Sequence, residues 1–259
     1  MTSWTWERKV EAAARASQSG VLLRDDTEVI ERPGWYQIVT PSARGFLNEI
    51  QSSVVEPGDV DRLVDEAIAT YHPLGTPVKW YVGPRSRPTD LGERLARRGF
   101  RASELSGMGR DTAPIEAPEG VSARAVTDEA GLRVFSDVSM RGWSMAPEQV
   151  PAHERALAKA LSATPRLALF YVAYLEGEPA GTAALVLRGD YGYLMGGVVI
   201  EAARGRGVYR ALVAERLAFL RAEGLEYAVT HAYADTSAPI LERLGFETLF
   251  RSRCYALDP

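Results

Sequence analysis

Two arginines and two glycines alternate at Arg204-Gly205-Arg206-Gly207 and are followed by Val208-Tyr209-Arg210. The segment lies between an apolar, strand-like run from Tyr191 to Ile200 and an amphipathic, helix-like run from Val208 to Glu223. A strand, a short cationic glycine loop and a helix together make an anion site. The first amide N–H groups of a helix have no partner inside it and carry the positive end of its dipole. Glycines let those amides approach a pyrophosphate, and arginines add charge-assisted hydrogen bonds. Residues Arg204, Gly205, Arg206, Gly207, Val208, Tyr209 and Arg210 are therefore expected to hold a phosphorylated cofactor. The alternative is a plain arginine-rich turn. A dinucleotide fingerprint is excluded, because Arg210 stands where its third glycine belongs, and no nucleotide-triphosphate loop G-x-x-x-x-G-K-[ST] is present.

The segment resembles the cofactor motif of the GCN5-related N-acetyltransferases (GNAT), Arg/Gln-x-x-Gly-x-Gly/Ala at the head of a helix after a strand ending Val-x-Pro. The match runs Val199-Ile200-Glu201 and then Arg204 to Tyr209. Glu201 replaces the proline, and Tyr209 replaces the final small residue, where it would crowd the pyrophosphate or stack on part of the cofactor. A second signature lies in Asp235-Thr236-Ser237-Ala238-Pro239-Ile240-Leu241-Glu242-Arg243-Leu244-Gly245-Phe246. In the family a short helix ends in Gly-Phe and leads into a closing hairpin. Gly245 suits a helix C-terminal cap. The resemblance spans roughly Gly120 to Pro259.

The resemblance implies an acyl-CoA-dependent N-acyltransferase using acetyl-CoA (coenzyme A) and a small-molecule amine. It also implies a bulge in the cofactor strand that splays it from its neighbour, and Gly196-Gly197 stand where that bulge would fall. A tight strand crossing would use glycines equally well. Backbone groups of Val198, Val199 and Ile200 would pair with the pantetheine arm, and the Val198 amide would polarise the thioester carbonyl. The family's helix tyrosine, proton donor to the departing thiolate, aligns with Leu241, which cannot donate. The nearest substitutes are His231 and Tyr233, on one face of the strand from Glu226 to Ala234 by period-two alternation. His231 would take a proton from the acceptor; a packed strand residue is the alternative reading for both. Tyr191 and Tyr193 would line the acceptor side. Glu201 reads as an ion-pair partner of the loop arginines. His72 and His153 look incidental, the latter on a polar helix face. No His/Cys/carboxylate cluster has metal-ligand spacing.

These residues need a scaffold, and the composition supplies one. The chain has 259 residues, 46% hydrophobic and 25% charged, enough for a sizeable core and two domains. A net charge of −4 gives no global field towards nucleic acid. The single cysteine, Cys254, cannot form an intrachain disulfide, which fits a reducing compartment. Met1 to Val10 reads as no signal peptide, and no apolar run reaches membrane-spanning length. The expected location is cytoplasmic, as a monomer or homodimer.

The expected fold is α/β (α+β): a mixed, mostly antiparallel sheet flanked by helices, with a second, smaller α/β domain. Residues 1–112 form that N-terminal domain, 113–119 a proline-rich and acidic linker, and 120–259 the acetyltransferase domain. After the linker the order reads β-α-α-β-β-β-α-β-α-β-β. The helix from Val208 buries Leu212, Val213, Leu217 and Leu220 at helical spacing and stops at Gly224. Before the linker, Trp4 to Ser19 reads as a helix and Trp35 to Thr40 as a strand. A helix follows Asp59, Val78 to Val82 is a strand, and Thr89 to Arg97 is a helix. Leu95-Ala96-Arg97-Arg98-Gly99-Phe100 echoes Leu241-Glu242-Arg243-Leu244-Gly245-Phe246, as in tandem acetyltransferases, although no cofactor loop accompanies it. This half would shape the acceptor pocket or a dimer contact. Two rival functions remain: an acyl-CoA-binding sensor or scaffold that no longer transfers, and a protein N-acetyltransferase with an open acceptor groove.

Overall fold

The computed structural model describes residues 3–18, 23–43 and 47–259. Helix α1, Trp6–Ala16, opens the described chain with Thr5 Oγ1 accepting the Arg8 amide at its N-terminus. Strands β1, Glu28–Arg32, β2, Trp35–Val39, and β3, Glu49–Ser53, precede helix α2, Val60–Tyr71. Strand β4, Val78–Val82, helix α3, Leu91–Arg97, and strand β5, Arg101–Asp111, complete the first half. The second half runs β6, Val121–Ala125; α4, Glu129–Trp143; α5, Val150–Ser162; β7, Leu169–Leu175; β8, Glu178–Arg188; and β9, Tyr191–Val199. It ends with α6, Val208–Ala222; β10, Tyr227–Tyr233; α7, Ala238–Arg243; and β11, Glu247–Leu257. Asp128 caps α4 by accepting the Gly131 amide at 2.8 Å. Glu176 and Gly177, both at positive φ, close the β7–β8 hairpin.

All the strands join one sheet, in the order β1-β2-β3-β4-β11-β5-β10-β9-β8-β7-β6. The β3–β4 and β9–β10 pairs are parallel and the other neighbours antiparallel. The mixed, mostly antiparallel sheet flanked by helices is thus the expected one, and the helices divide between its faces. On one face, α6 and α7 bury Leu212, Leu217, Leu220 and Leu241 against Leu185, Leu194 and Ala228. On the other, α1, α4 and α5 cover Phe170, Val172, Val186, Tyr193 and Val229. A third core lies under α2 and α3, around Ile50, Val78, Trp80 and Leu95. Each such side chain, fully removed from water, contributes roughly 1.5–3 kcal/mol.

Three expectations need correction. The chain does not close on a local hairpin after Gly245-Phe246. Its last strand, β11, lies between β4 and β5 of the first half, and β5 in turn lies between β11 and β10. Each half thereby lends its final strand to the other. Strands β1, β3 and β5 are also additions to the expected order. Strand β5 carries Gly107 and Gly109, which resemble turn residues, because the rings of Phe250 and Tyr227 cover those positions and leave no space for a Cβ. Helix α1 is shorter than the expected Trp4 to Ser19, and residue 19 lies outside the described residues. Among the described residues, no helix is long and apolar enough to cross a membrane, and no group of three or more His, Cys, Asp or Glu could hold a metal ion.

Candidate functional site

Strands β9 and β10 pair only at Gly192, Tyr193 and Leu194, opposite Ala228, Val229 and Thr230. Thr230 Oγ1 donates to the Leu194 carbonyl at 2.8 Å and closes the pairing there. Beyond that point the strands part. The cause lies on the other side of β9, where Thr182 faces Val198 but Ala184 faces Met195. One extra residue on β9 makes a bulge at Gly196-Gly197, with Gly196 at φ +60°. The glycine pair therefore serves a bulge and not a strand crossing.

The bulge also decides which backbone groups face the gap. The Ile200 amide donates to Ala180 O at 3.0 Å, and the Ile200 carbonyl accepts the Ala203 amide at 3.0 Å. The Ile200 amide is thus spent within the chain, and its carbonyl keeps a second acceptor site. In an antiparallel ladder, outward and inward groups alternate. Val198, in register with Thr182, directs its amide at β8, so it does not point at a thioester in the gap. Val199 presents its edge to the open side, its carbonyl accepting from Arg204.

A short 3-10 turn, Glu201–Ala203, leads to the arginine loop, where Gly205 and Gly207 have φ of 75° and 83°. Gly207 is the N-cap of α6, with no side chain capping the helix. The first-turn amides of Val208, Tyr209 and Arg210 thus sit at an uncapped, positive helix end. Arg204 Nε donates to Val199 O at 3.3 Å, and Arg206 pairs with Glu176 at 2.6 Å across an exposed surface. Arg210 Nε reaches the Glu116 carbonyl, at 2.7 Å, in the linker. Glu176, not Glu201, is the acid at this loop; among the described residues Glu201 makes no ion pair. Pro118 of the linker stands directly over Gly207. Tyr209 is turned inward: a Cβ at Gly197 would lie 2.7 Å from Tyr209 Cε2. Its ring lies beneath the bulge and does not cover the loop glycines, so it cannot crowd an anion there.

The gap opens into a cavity of about 880 Å³ whose walls come from both halves of the chain. His231 and Tyr193 face it, their Nδ1 and hydroxyl 3.3 Å apart. Burial lowers the His231 pKa to about 4, so the imidazole is neutral near pH 7. Tyr233 lines the rim at 42% exposure, its amide bound to Ser237 Oγ at 3.0 Å, and burial of the ring raises its hydroxyl pKa. His153 is not on a polar face but buried on the cavity wall, its pKa also lowered to about 4, chiefly by burial and then by Arg24. Tyr191 is held by α1, donating to Ala12 O at 3.1 Å, and does not line the cavity. Leu241 is buried in the core.

Two cavity residues escape a reading of the sequence. Glu49, from β3, is the only carboxylate among the described lining residues, and its Oε2 accepts from Gln51 Nε2 at 2.9 Å. Nothing in the polar stretch around it marks a strand. Arg216 of α6 is 1% exposed; its Nε donates to Leu212 O at 2.8 Å and its Nη1 to Ala184 O at 3.1 Å. Its Nη2 has no hydrogen-bond partner among the described residues. Burial lowers its pKa, while the Tyr209 and Tyr171 hydroxyls oppose that shift. Helical spacing does hold a signal, since Arg216 falls midway between Leu212 and Leu220 on the apolar stripe.

Residues 137–246 match the model of the acetyltransferase (GNAT) family. The whole chain is similar in fold to a GCN5-related N-acetyltransferase from Kribbella flavida: 15% identity, 97% of this chain and 95% of that chain covered, TM-score 0.68. A tandem GNAT protein from the clavulanic acid biosynthesis pathway matches at 15% identity over 98% of this chain and 94% of that chain, with a TM-score of 0.61. A GCN5-related N-acetyltransferase from Sphaerobacter thermophilus matches at 20% identity over 90% and 76%, with a TM-score of 0.62. At these identities the likeness is one of fold. No curated protein matches the chain.

Proposed function

We propose, from the match of residues 137–246 to the acetyltransferase (GNAT) family model, that the protein transfers an acetyl group from acetyl-CoA to the primary amine of a small molecule. Attack is direct, within a ternary complex. The observation that carries the reading is the parting of β9 and β10 after Leu194 and Thr230, between an uncapped helix N-terminus and a walled cavity. The residues present fit the cofactor. The α6 amides and Arg204 take the pyrophosphate with Gly205 and Gly207, and Arg206 joins them on leaving Glu176, an exposed pair that contributes little. The Val199 amide pairs with the pantetheine arm as a further strand would, and its carbonyl joins once Arg204 turns to the pyrophosphate. Bound there, the cofactor supplies an activated acyl group.

Most of the rate comes from holding the acceptor nitrogen against that group. The cavity is mainly apolar, and its described carboxylate, Glu49, shares the wall with Lys79, Arg85 and Arg216, which suits an amine that enters neutral. Neutral His231 takes the proton lost by the nitrogen and passes it on through Tyr193 or water. Tyr233 forms the rim over the acceptor. Walls from both halves favour a small acceptor over a protein, which would need an open groove. The sensor reading draws on one observation, the buried leucine at 241.

Calorimetric titration with acetyl-CoA, beside an Arg204→Ala/Arg206→Ala variant, tests the cofactor site. Micromolar binding is expected, weakened roughly 10- to 100-fold by loss of two charge-assisted contacts. No binding by folded wild-type protein would overturn the reading. Release of free thiol across a panel of primary amines then separates enzyme from sensor.

A further inference from the structure

Cleaving a thioester with an amine leaves sulfur with the bonding electron pair, and that charge needs a counterpart inside a mainly apolar cavity. The position from which a helix hydroxyl would reach it is filled by Leu241, buried against α6 and the sheet. The same face of the sheet carries another hydroxyl. Tyr209 lies under the bulge, in space that exists because Gly197 has no side chain, and its ring reaches the cavity. Beside it stands Arg216, a guanidinium buried to 1% exposure and facing the cavity, with one terminal nitrogen unpartnered among the described residues and no carboxylate bonded to it. A buried cation held by the Leu212 and Ala184 carbonyls and the neighbouring Tyr209 hydroxyl, with no counter-charge, costs several kcal/mol, so such a position calls for an anion to complete it.

We propose that Tyr209 and Arg216 together form the site that receives the sulfur of CoA as a thiolate. This rests on the acyltransferase reading above. The Tyr209 hydroxyl donates a hydrogen bond to the sulfur and Arg216 balances its charge as the C–S bond breaks. A C–N bond forms, the sulfur leaves with the electron pair, and the proton shed by nitrogen departs through His231 to water. The thiolate takes up a proton from water on release, so the reaction yields amide and free thiol. The pair also accounts for the departure of the cofactor motif from its small residue at position 209. A small residue there would leave Arg216 without its hydroxyl neighbour and the bulge without a floor.

The groups facing this pair are few. Tyr171 of β7 offers a buried hydroxyl with no partner among the described residues, and Glu215 of α6 acts on Tyr171. Thr230 of β10 uses its hydroxyl on Leu194. Tyr193 and Tyr233 reach the cavity from other strands and are not coupled to a buried cation.

The test is a pH titration of CoA bound to the protein, read by the ultraviolet absorbance of the thiolate, in wild type, Tyr209→Phe and Arg216→Lys. The Tyr209→Phe variant keeps the ring that packs under Gly197 and removes only the hydroxyl. In wild type the bound thiol should titrate about one unit or more below free CoA, through an opposite charge and a hydrogen bond. Tyr209→Phe should return it most of the way, with the affinity for acetyl-CoA unchanged and kcat lower by about 100-fold. Wild-type binding of CoA with an unshifted thiol, or an equal shift in Tyr209→Phe, would overturn the pair while leaving the acyltransferase reading intact. Failure of wild type to bind either CoA or acetyl-CoA would overturn both. Should Arg216→Lys fail to fold, the Tyr209→Phe comparison decides alone.

Discussion

Alanine at Gly205 and at Gly207 should have unequal consequences, although both glycines belong to one loop. Gly205 has φ +75° and open space where a Cβ would stand, with nothing within 4 Å of that point. A Cβ on Gly207, at φ +83°, would overlap Pro118 Cγ and come within 3.2 and 3.3 Å of its Cδ and Cβ. Backbone strain is common to both, about 1–2 kcal/mol for an L-residue in the left-handed region. At Gly207 the obstacle is a proline ring, which cannot rotate aside, so the linker itself must move. Overpacking of that kind adds about 1–3 kcal/mol. The difference between the variants is therefore about 1–3 kcal/mol, or about 2–12 °C in Tm at 2–4 °C per kcal/mol for a chain of this size class. Thermal denaturation of the two variants side by side measures it. Gly207→Ala should also weaken acetyl-CoA binding in calorimetry more than Gly205→Ala does, because the displaced loop carries the α6 N-terminus. Equal losses of Tm would refute the claim that the linker braces the anion loop.

The histidines set an acid limit. His153 and His231 have folded pKa values near 4 against an ordinary 6.5, so the unfolded chain binds more protons between those values. Stability should therefore be full above about pH 6.5 and decline towards pH 4, by up to about 3 kcal/mol for each histidine. His231→Gln should flatten that decline in a series of melts from pH 7 to pH 4.5, and an unchanged slope would count against the buried, neutral imidazole. Glu176→Gln frees Arg206 from an exposed pair; stability should change by less than about 1 kcal/mol, while acetyl-CoA binds more tightly at low salt. Gly107→Ala drives a methyl group into the Phe250 ring at the middle of the sheet and should cost about 1–3 kcal/mol in a urea titration, with no change in the slope m.

What can be read in advance is whatever depends on neighbours in sequence. The loop at Arg204 to Arg210 announces itself because its strand, its glycines and its helix are contiguous, and the structure gives both glycines the positive φ that such a turn requires. The bulge is legible for the same reason, as two adjacent glycines in an apolar strand. Strand β5 is not. Its pattern answers to Phe250 and Tyr227, more than a hundred positions along the chain, and its glycines mark the passage of those rings. Glu49 is hidden because only the folding of β3 beside β4 turns it toward the cavity. Which amides of Val198, Val199 and Ile200 face the gap cannot be read either, since a bulge of one residue exchanges inward for outward. Arg216 stands in plain view on an apolar helix stripe, where a charged residue calls for an explanation.

The exchange of final strands has a consequence for how the molecule is made. Strand β4 waits for β11, and everything from α3 to α7 must leave the ribosome before that partner exists. Strand β5 waits for both β10 and β11, so during translation the first half carries the raw edge of an unfinished sheet, the kind of edge that recruits stray strands. The two halves cannot mature in succession. They close together, on the same eleven residues that complete the sheet, and a nascent chain stalled short of them offers chaperones two incomplete halves instead of one finished and one pending.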